Sequence, residues 1–457
     1  MTEPGETIDL EITDVAHGGV FVARHEGRVV FVSDAIPGER VRARVTDASK
    51  KSFWRAETVE VLDASPHRQP HVWRQADVDF APEQRPGGAD FGHIALAHQR
   101  ELKLRVLLDA LERFGGIAEP AATMATAGPA LSDAAEVPDD ETPDGTRWRT
   151  RLSLHVDDAG RVGPYAARSH RVIEVDGHPL ATAAVEQAAL ALRGHQPGRI
   201  DLIQPTDGRV RVLPRPERRA DAARPRRRGR PAKSGPAAPA PTAEVVIERV
   251  GGREFRVDAG GFWQVHRLAA HRLTSVVSSR LRSLGQAHGT GYGPVIDPDA
   301  WHLDLYGGVG LFAATLGDLG GPSTRVTTVE SDSRATEHAG ENLAEWVGAR
   351  AETGRVDRWL AKLADEASVT ERERLGRGVV LLDPPRAGAG REVVERITEL
   401  APATVVYVAC DPVALARDLS TFRDGGYEPA SIDAFDIFPN SHHVEAVAVL
   451  TRHGARG

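Results

Sequence analysis

A chain of 457 residues is long enough for two or three domains, and 41% apolar with 27% charged residues is an ordinary balance for a globular protein in water. Its single cysteine, Cys410, excludes an intrachain disulfide framework, and no apolar run approaches the ~18 residues that a bilayer span needs. A formal net charge of -8 argues against indiscriminate binding of polyanions but leaves room for a local basic surface. The first residues, Met1-Thr2-Glu3-Pro4-Gly5-Glu6, lack the basic-then-apolar order of a signal peptide, so a cytoplasmic protein with no membrane partner is expected. The first elements are strands. Thr7–Ile12 and Val41–Val45 alternate polar and apolar residues, Val20–Ala23 and Val29–Val32 are β-branched runs flanking the turn His25-Glu26-Gly27-Arg28, and Ala56–Val61 closes the set.

Five short strands in so few residues predict a small barrel of the oligonucleotide-binding type over residues 1–63. Ala16-His17-Gly18-Gly19 followed by Ala35-Ile36-Pro37-Gly38-Glu39-Arg40-Val41 closely resembles a TRAM domain, an RNA-binding module. Lys50, Lys51, Phe53, Trp54 and Arg55 are expected to bring cations and aromatic rings together on one loop, a mixture that holds phosphates and stacks bases.

A central α+β domain is expected over residues 64–250. Leu102, Val106, Leu107 and Leu111 define the apolar stripe of a helix over 95–114 that stops at Gly115-Gly116. Residues 119–146, rich in Ala, Pro, Asp and Glu, read as a flexible acidic linker. Strands are expected at Arg151–Val156, Arg171–Val175 and Ile200–Gln204. Residues 214–241 carry Arg224, Arg226, Arg227, Arg228, Arg230 and Lys233 among prolines and alanines. They read as a disordered basic loop, either a solubilising insertion or a tether to RNA phosphates.

Residues 251–457 alternate strand and helix, with strands expected at Trp301–Tyr306, Arg325–Glu330, Gly378–Asp383, Thr404–Ala409 and Val444–Leu450. This is the signature of a Rossmann-like parallel sheet covered on both faces, making the chain α/β with a small N-terminal barrel. Leu303-Asp304-Leu305-Tyr306-Gly307-Gly308-Val309-Gly310 is a strand opening through a glycine turn into a helix, and Glu330 ends the next strand. A carboxylate there accepts hydrogen bonds from ribose hydroxyls, so an adenosine-containing cofactor is expected. NAD and S-adenosyl-L-methionine compete for this site, and the missing third glycine of the dinucleotide fingerprint counts against NAD. Asp383-Pro384-Pro385-Arg386 ends the third strand in a rigid loop. It is like the Asp-Pro-Pro-aromatic loop of amino-group methyltransferases, but with Arg386 in the aromatic's place. Cys410 lies where a buried strand emerges at the carboxyl edge of the sheet, the edge at which open α/β sheets bind ligands, and a thiolate placed there can act as a nucleophile.

Phe262-Trp263-Gln264-Val265, Asp304–Gly310, Asp383–Gly388 and Ala409-Cys410-Asp411-Pro412 resemble the RNA 5-methyluridine methyltransferase family, a set of class I S-adenosylmethionine-dependent enzymes. The most specific segment is Asp436-Ile437-Phe438-Pro439-Asn440-Ser441-His442-His443-Val444-Glu445, and Gly163-Pro164-Tyr165 with Ser169-His170 is similar to the family's central domain. The resemblance implies that Gln264, Tyr306, Glu330 and Asp383 contact S-adenosyl-L-methionine, with Cys410 the nucleophile and Glu445 the base. It implies uridine C5 methylation in structured RNA through a covalent bond from Cys410 to C6, with ribosomal RNA expected ahead of transfer RNA; an inactive RNA-binding relative is the alternative. The chain departs from the family at His266, Gly307, Leu311 and Asp411, where Asn, Cys, Asn and Asn are usual. Many relatives carry a four-cysteine iron–sulfur cluster; Pro86–His93 is similar to that segment without its cysteines, so no such cluster is expected. His442 and His443 lack a third ligand at a convincing spacing, and no metal is expected.

Overall fold

The computed structural model describes residues 4–128, 142–217, 244–287 and 295–452. Alternating buried and exposed side chains close β1 (Thr7–Ala16), β2 (Val20–His25), β3 (Arg28–Ser33), β4 (Arg40–Asp47) and β5 (Phe53–Asp63) into a barrel ordered β1-β2-β3-β5-β4. Glu26 and Gly27 both take positive φ, 47° and 80°, which suits the tight turn between β2 and β3. One expectation is corrected here. Trp54 is 2% exposed and belongs to the barrel core, because strand alternation sends it inward between Phe53 and Arg55. Phe53 packs edge-on against Phe31 at 5.5 Å, and Arg55 lies 5.8 Å from the Phe53 ring centre.

Residues 65–95 wrap the barrel and are fixed by buried charge. Arg68 reaches the buried Glu39 at 2.6 Å. Arg85, also buried, meets Asp34 at 3.1 Å and donates to the carbonyls of Thr58, Val78 and Phe80. His93 donates to the Ala35 carbonyl at 3.0 Å and faces His71 at 6.0 Å, so the stretch that resembles a cysteine-bearing segment is held by imidazoles and arginines.

Helix α1 (Leu96–Arg113) follows, and then β6 (Thr123–Thr126), which falls inside the stretch expected to be a linker. Four residues are too few to display a strand period, and β6 forms only because an edge awaits it. A second sheet, ordered β10-β9-β7-β8, is built from β7 (Arg151–Val156), β8 (Val162–Gly163), β9 (Gly198–Ile203) and β10 (Arg211–Pro216), with α2 (Ala183–Leu190) against it. Among the described residues the strand expected at Arg171–Val175 reduces to an isolated bridge between Tyr165 and Val172. Of the expected basic loop, Pro214–Pro216 continues β10, and residues 218–243 lie outside the described residues.

The hairpin β11 (Val245–Val250) and β12 (Arg253–Asp258) and helix α3 (Ala269–Ala287) lead into the large sheet. Its elements are β13 (Trp301–Leu305), α4 (Leu311–Gly320), β14 (Arg325–Glu330), α5 (Ser333–Asn342), β15 (Arg350–Thr353), α6 (Val356–Glu366) and α7 (Val369–Gly376). They continue with β16 (Val379–Leu382), α8 (Arg391–Leu400), β17 (Thr404–Ala409), α9 (Pro412–Asp424), β18 (Tyr427–Asp436) and β19 (Glu445–Arg452). Among the described residues the strand order is β15-β14-β13-β16-β17-β19-β18-β6. Pairing is parallel from β15 to β17; β19 runs antiparallel to both β17 and β18, and β6 is parallel to β18. The expected all-parallel sheet is therefore mixed at one end. Two apolar clusters cover its faces, one under α3 and α4 and the other under α6, α8 and α9. The chain runs outward from β13 to β14 on one side and resumes at β16 on the other. This makes a topological switch point, so a crevice opens at the carboxyl ends of β13 and β16.

Candidate active site

Beyond β13 the backbone turns sharply. Tyr306, Gly308 and Gly310 all take positive φ, 62°, 55° and 88°. The Gly308 N–H donates to Glu330 Oε2 at 3.2 Å, and the other Glu330 oxygen accepts from the Asp332 N–H at 2.8 Å, so Glu330 spans the crevice between two turns. A Cβ at Gly307 would fall 1.9 Å from Thr328 Oγ1 and 2.5 Å from Asp304 Oδ2, which explains glycine where relatives carry cysteine. Leu311, at the start of α4, is buried in the core, and His266 stacks on Trp148 at 5.5 Å while accepting from the Leu268 N–H. Both departures from the family pattern are thus packed.

Cys410 and Glu445 meet through sheet register. On the antiparallel β17–β19 ladder Ala409 pairs with Ala446, so the next step of the same register places Cys410 opposite Glu445. Directly opposed residues have Cβ atoms about 4.5–5.5 Å apart. Asp411 caps α9, accepting from the Val413 and Ala414 N–H groups at 3.0 and 2.8 Å, and Pro412 begins the helix, so the chain turns away immediately after the thiol. The Asp383–Gly390 loop is pinned from α9. Asp418 accepts from the Ala389 N–H at 2.7 Å and from the Tyr407 hydroxyl at 2.6 Å.

Gln264, Tyr306, Glu330, Asp383, Cys410 and Glu445, the six site residues expected from sequence, all line one cleft of about 1110 Å³. The sequence reading missed Asp304, which lies beneath the glycine turn, fully buried, accepting from the Ala313 N–H and the Thr328 hydroxyl. An acid between leucines on a core strand was the available signal. Burial pushes the Asp304 carboxyl up to about 7, and burial together with Asp304 raises Asp383 to about 7. Glu445 is raised well above the usual carboxylate range by burial and then by Asp383, with Arg386 opposing. Burial, Glu445 and Asp383 push the Cys410 thiol up to about 12. The free cleft therefore gathers acids that resist ionisation and holds the cysteine as a thiol, contrary to the near-ordinary thiol that a lone cysteine at a strand end implies.

The N-terminal barrel reaches this centre. His17, on the β1–β2 turn, donates to Asp411 at 2.8 Å, and that contact raises the imidazole above its ordinary value. Cys410 also borders a smaller cavity of about 140 Å³ walled by Ala16–Gly19, Arg386, His442 and His443. Arg386 donates to His443 Nε2 at 3.1 Å, and His442 donates to Asp90 at 2.5 Å, so these histidines spend their polarity on protein partners. The loop that delivers Glu445 is anchored to α1. Asn440 and Gln99 exchange two hydrogen bonds of 2.8 and 2.9 Å, and Lys103 meets Asp436 at 2.6 Å with both side chains fully buried. Among the described residues no group of three potential ligands gathers around a metal position, and no helix is long and apolar enough to cross a membrane.

A sheet of this order, a glycine turn after β13, an acid closing β14 and a cleft at the switch point define a Rossmann-like class I methyltransferase domain. Profiles for the TRAM domain and for tRNA (Uracil-5-)-methyltransferase match residues 2–56 and 371–453. An uncharacterized RNA methyltransferase of Streptomyces avermitilis is 39% identical over 98% of each chain. A 23S rRNA (uracil(1939)-C(5))-methyltransferase of Aeromonas hydrophila is 27% identical over 99% of this chain and 97% of its own. The crystal structure of Pyrococcus abyssi tRNA (uracil-54, C5)-methyltransferase with S-adenosyl-L-homocysteine shares the fold at a TM-score of 0.62 and 20% identity, over 97% of this chain and 100% of that one. The chain belongs to the RNA uracil-C5 methyltransferase family and carries a TRAM domain at its N-terminus.

Proposed function

We propose that the protein methylates C5 of a uridine in 23S ribosomal RNA, using S-adenosyl-L-methionine, with Cys410 as nucleophile and Glu445 as base. The observation that carries this reading is the register that sets Cys410 against Glu445 in the lining of the cleft. The cleft suits the cofactor. The glycine turn leaves backbone open beside Gly308, where a Cβ would meet nothing within 4 Å, and the carboxylates match a cation. Gln264, Tyr306, Glu330 and Asp383 would hold it, and when bound it supplies an electrophilic methyl group.

C5 of uracil is a weak nucleophile. Attack of the Cys410 sulfur on C6 breaks the C5–C6 double bond and moves an electron pair toward C5 and O4. Once C5 carries the methyl group, Glu445 takes the C5 proton. That electron pair re-forms the double bond and expels the Cys410 sulfur as thiolate. Attack requires the Cys410 thiolate, its proton passing to solvent; Arg386, and the cofactor's sulfonium when bound, favour that form, while burial, Glu445 and Asp383 oppose it. The target must leave its stack to reach Cys410, which favours a loop or single-stranded uridine.

Ribosomal RNA is supported by the Aeromonas relative, which aligns from the barrel to the last strand. The test is mass-spectrometric mapping of 5-methyluridine in ribosomal and transfer RNA from cells with and without the gene. A missing methyl group in 23S rRNA is expected; loss from transfer RNA alone would overturn the substrate assignment. With purified protein, Cys410→Ala abolishes methylation. Glu445→Gln accumulates a covalent protein–RNA adduct as a slow band on a denaturing gel, and absence of that band at normal RNA binding would contradict the role of the base.

A further inference from the structure

Two cavities share a wall. Beside the 1110 Å³ cleft lies a second cavity of about 540 Å³ in the central domain, and Gly88 and Arg149 border both. Tyr165 and His155 stack at the wall of the second cavity, ring centres 3.7 Å apart and 15° from parallel, with His170 edge-on to Tyr165 at 5.3 Å. The tyrosine is built in. Its carbonyl accepts from the Gly87 N–H at 3.2 Å, and a Cβ on nearby Gly163 would fall 1.8 Å from the Ile173 carbonyl oxygen.

Arg149 is the unusual element of the shared wall. Its Nε donates to the Arg151 carbonyl at 2.8 Å, and its guanidinium lies 5.7 Å from the Trp148 ring centre. Among the described residues no carboxylate pairs with it, and Arg386 adds a second positive charge nearby. A half-buried cation without a carboxylate partner suits an anion that arrives with the substrate. A base turned out of an RNA loop leaves its neighbours unstacked, and a neighbouring base that entered the second cavity would carry its linking phosphate past the wall shared by the two pockets.

We propose that the central-domain cavity is a second nucleobase site, where a base adjoining the target uridine stacks on the Tyr165–His155 pair while Arg149 holds the phosphate between the two nucleotides. This rests on the RNA methylation reading and adds to it a determinant of target choice. A stacking wall accepts any base, so discrimination falls to the polar rim of Ser153, Arg168, Ser169 and His170.

The test uses the full-length protein, total RNA from cells lacking the gene, and labelled S-adenosyl-L-methionine. Tyr165→Ala lowers kcat/KM for RNA by about tenfold to a hundredfold, chiefly through KM, whereas Tyr165→Phe keeps the ring and the rate. Arg149→Met also lowers it and reduces the salt dependence of RNA binding by about one phosphate contact. Calorimetry with S-adenosyl-L-homocysteine gives unchanged affinity for all three variants. Wild-type efficiency in Tyr165→Ala overturns the proposal. So does loss of S-adenosyl-L-homocysteine binding in Arg149→Met, which would assign that cation to the cofactor's carboxylate. Should the wild-type protein methylate none of this RNA, the methylation reading fails separately. Filter binding of the same RNA then decides the second site: weaker retention by Tyr165→Ala supports it, and equal retention ends it.

Discussion

Cofactor binding should release protons, and Asp383 should carry much of the effect. Asp304 and Asp383 both sit near 7 in the free protein, raised by burial and, for Asp383, by its neighbour Asp304. Near neutral pH both therefore still hold part of their protons. A sulfonium cation in the cleft favours the ionised form, so the raised carboxyls give up protons on binding. The sign follows directly: low pH protonates the acids and weakens binding, and rising pH strengthens it. A single carboxyl moving from about 7 to well below 6 makes affinity about tenfold higher at pH 8 than at pH 6. Titration calorimetry in buffers of different ionisation enthalpy counts the protons. S-adenosyl-L-homocysteine, which lacks the sulfonium charge, should release fewer, and Asp383→Asn should flatten the pH profile for the charged ligand toward that of the neutral one. Equal proton release by both ligands, or an unchanged profile in Asp383→Asn, would refute the electrostatic account of the cleft.

Two further outcomes follow from groups around the site. Cys410, pushed up to about 12, should be alkylated by iodoacetamide at pH 8 at least about a hundredfold more slowly than an ordinary cysteine, with the rate still climbing at pH 10; fast, pH-flat alkylation would show the thiolate already present. Lys103→Met leaves Asp436 buried with Arg100 at 3.2 Å as its remaining ion-pair partner among the described residues, and should lower stability by about 3 kcal/mol in urea unfolding; a loss below about 1 kcal/mol would mean that Arg100 compensates.

The barrel was legible because β1 and β4 alternate and β2 and β3 are β-branched runs, and the alternation at the start of β5 would have placed Trp54 inside had it been applied there. The core strands β13, β14, β16 and β17 were legible as apolar runs. β18 was not, because Pro429 and a bulge before Ser431 interrupt its period. β15 and β6 are short edge strands of exposed or half-buried residues, with no apolar pattern to read. Of the six expected residues that line the cleft, Tyr306, Glu330, Asp383 and Cys410 could be picked out at strand ends, while Gln264 and Glu445 came from the family resemblance alone. Their shared electrostatics could not be read, because Asp304, Asp383 and Glu445 become neighbours only once β13, β16, β17 and β19 lie side by side. Arg149 was hidden for the same reason. An arginine followed by Thr150 and Arg151 reads as surface until its surroundings are folded.

The strand at Thr123–Thr126 has a bearing on how this polypeptide is inherited and made. It finishes the far edge of a sheet whose other strands begin at Trp301, and α1 rests on α9 of the same half. A piece cut at residue 251 would leave β18 with bare hydrogen-bonding groups and Asp436 without its lysine, inviting association with other copies. Synthesis must therefore reach β18 before β6 can pair, and a graft of the carboxyl-terminal half alone onto another protein would leave that edge bare.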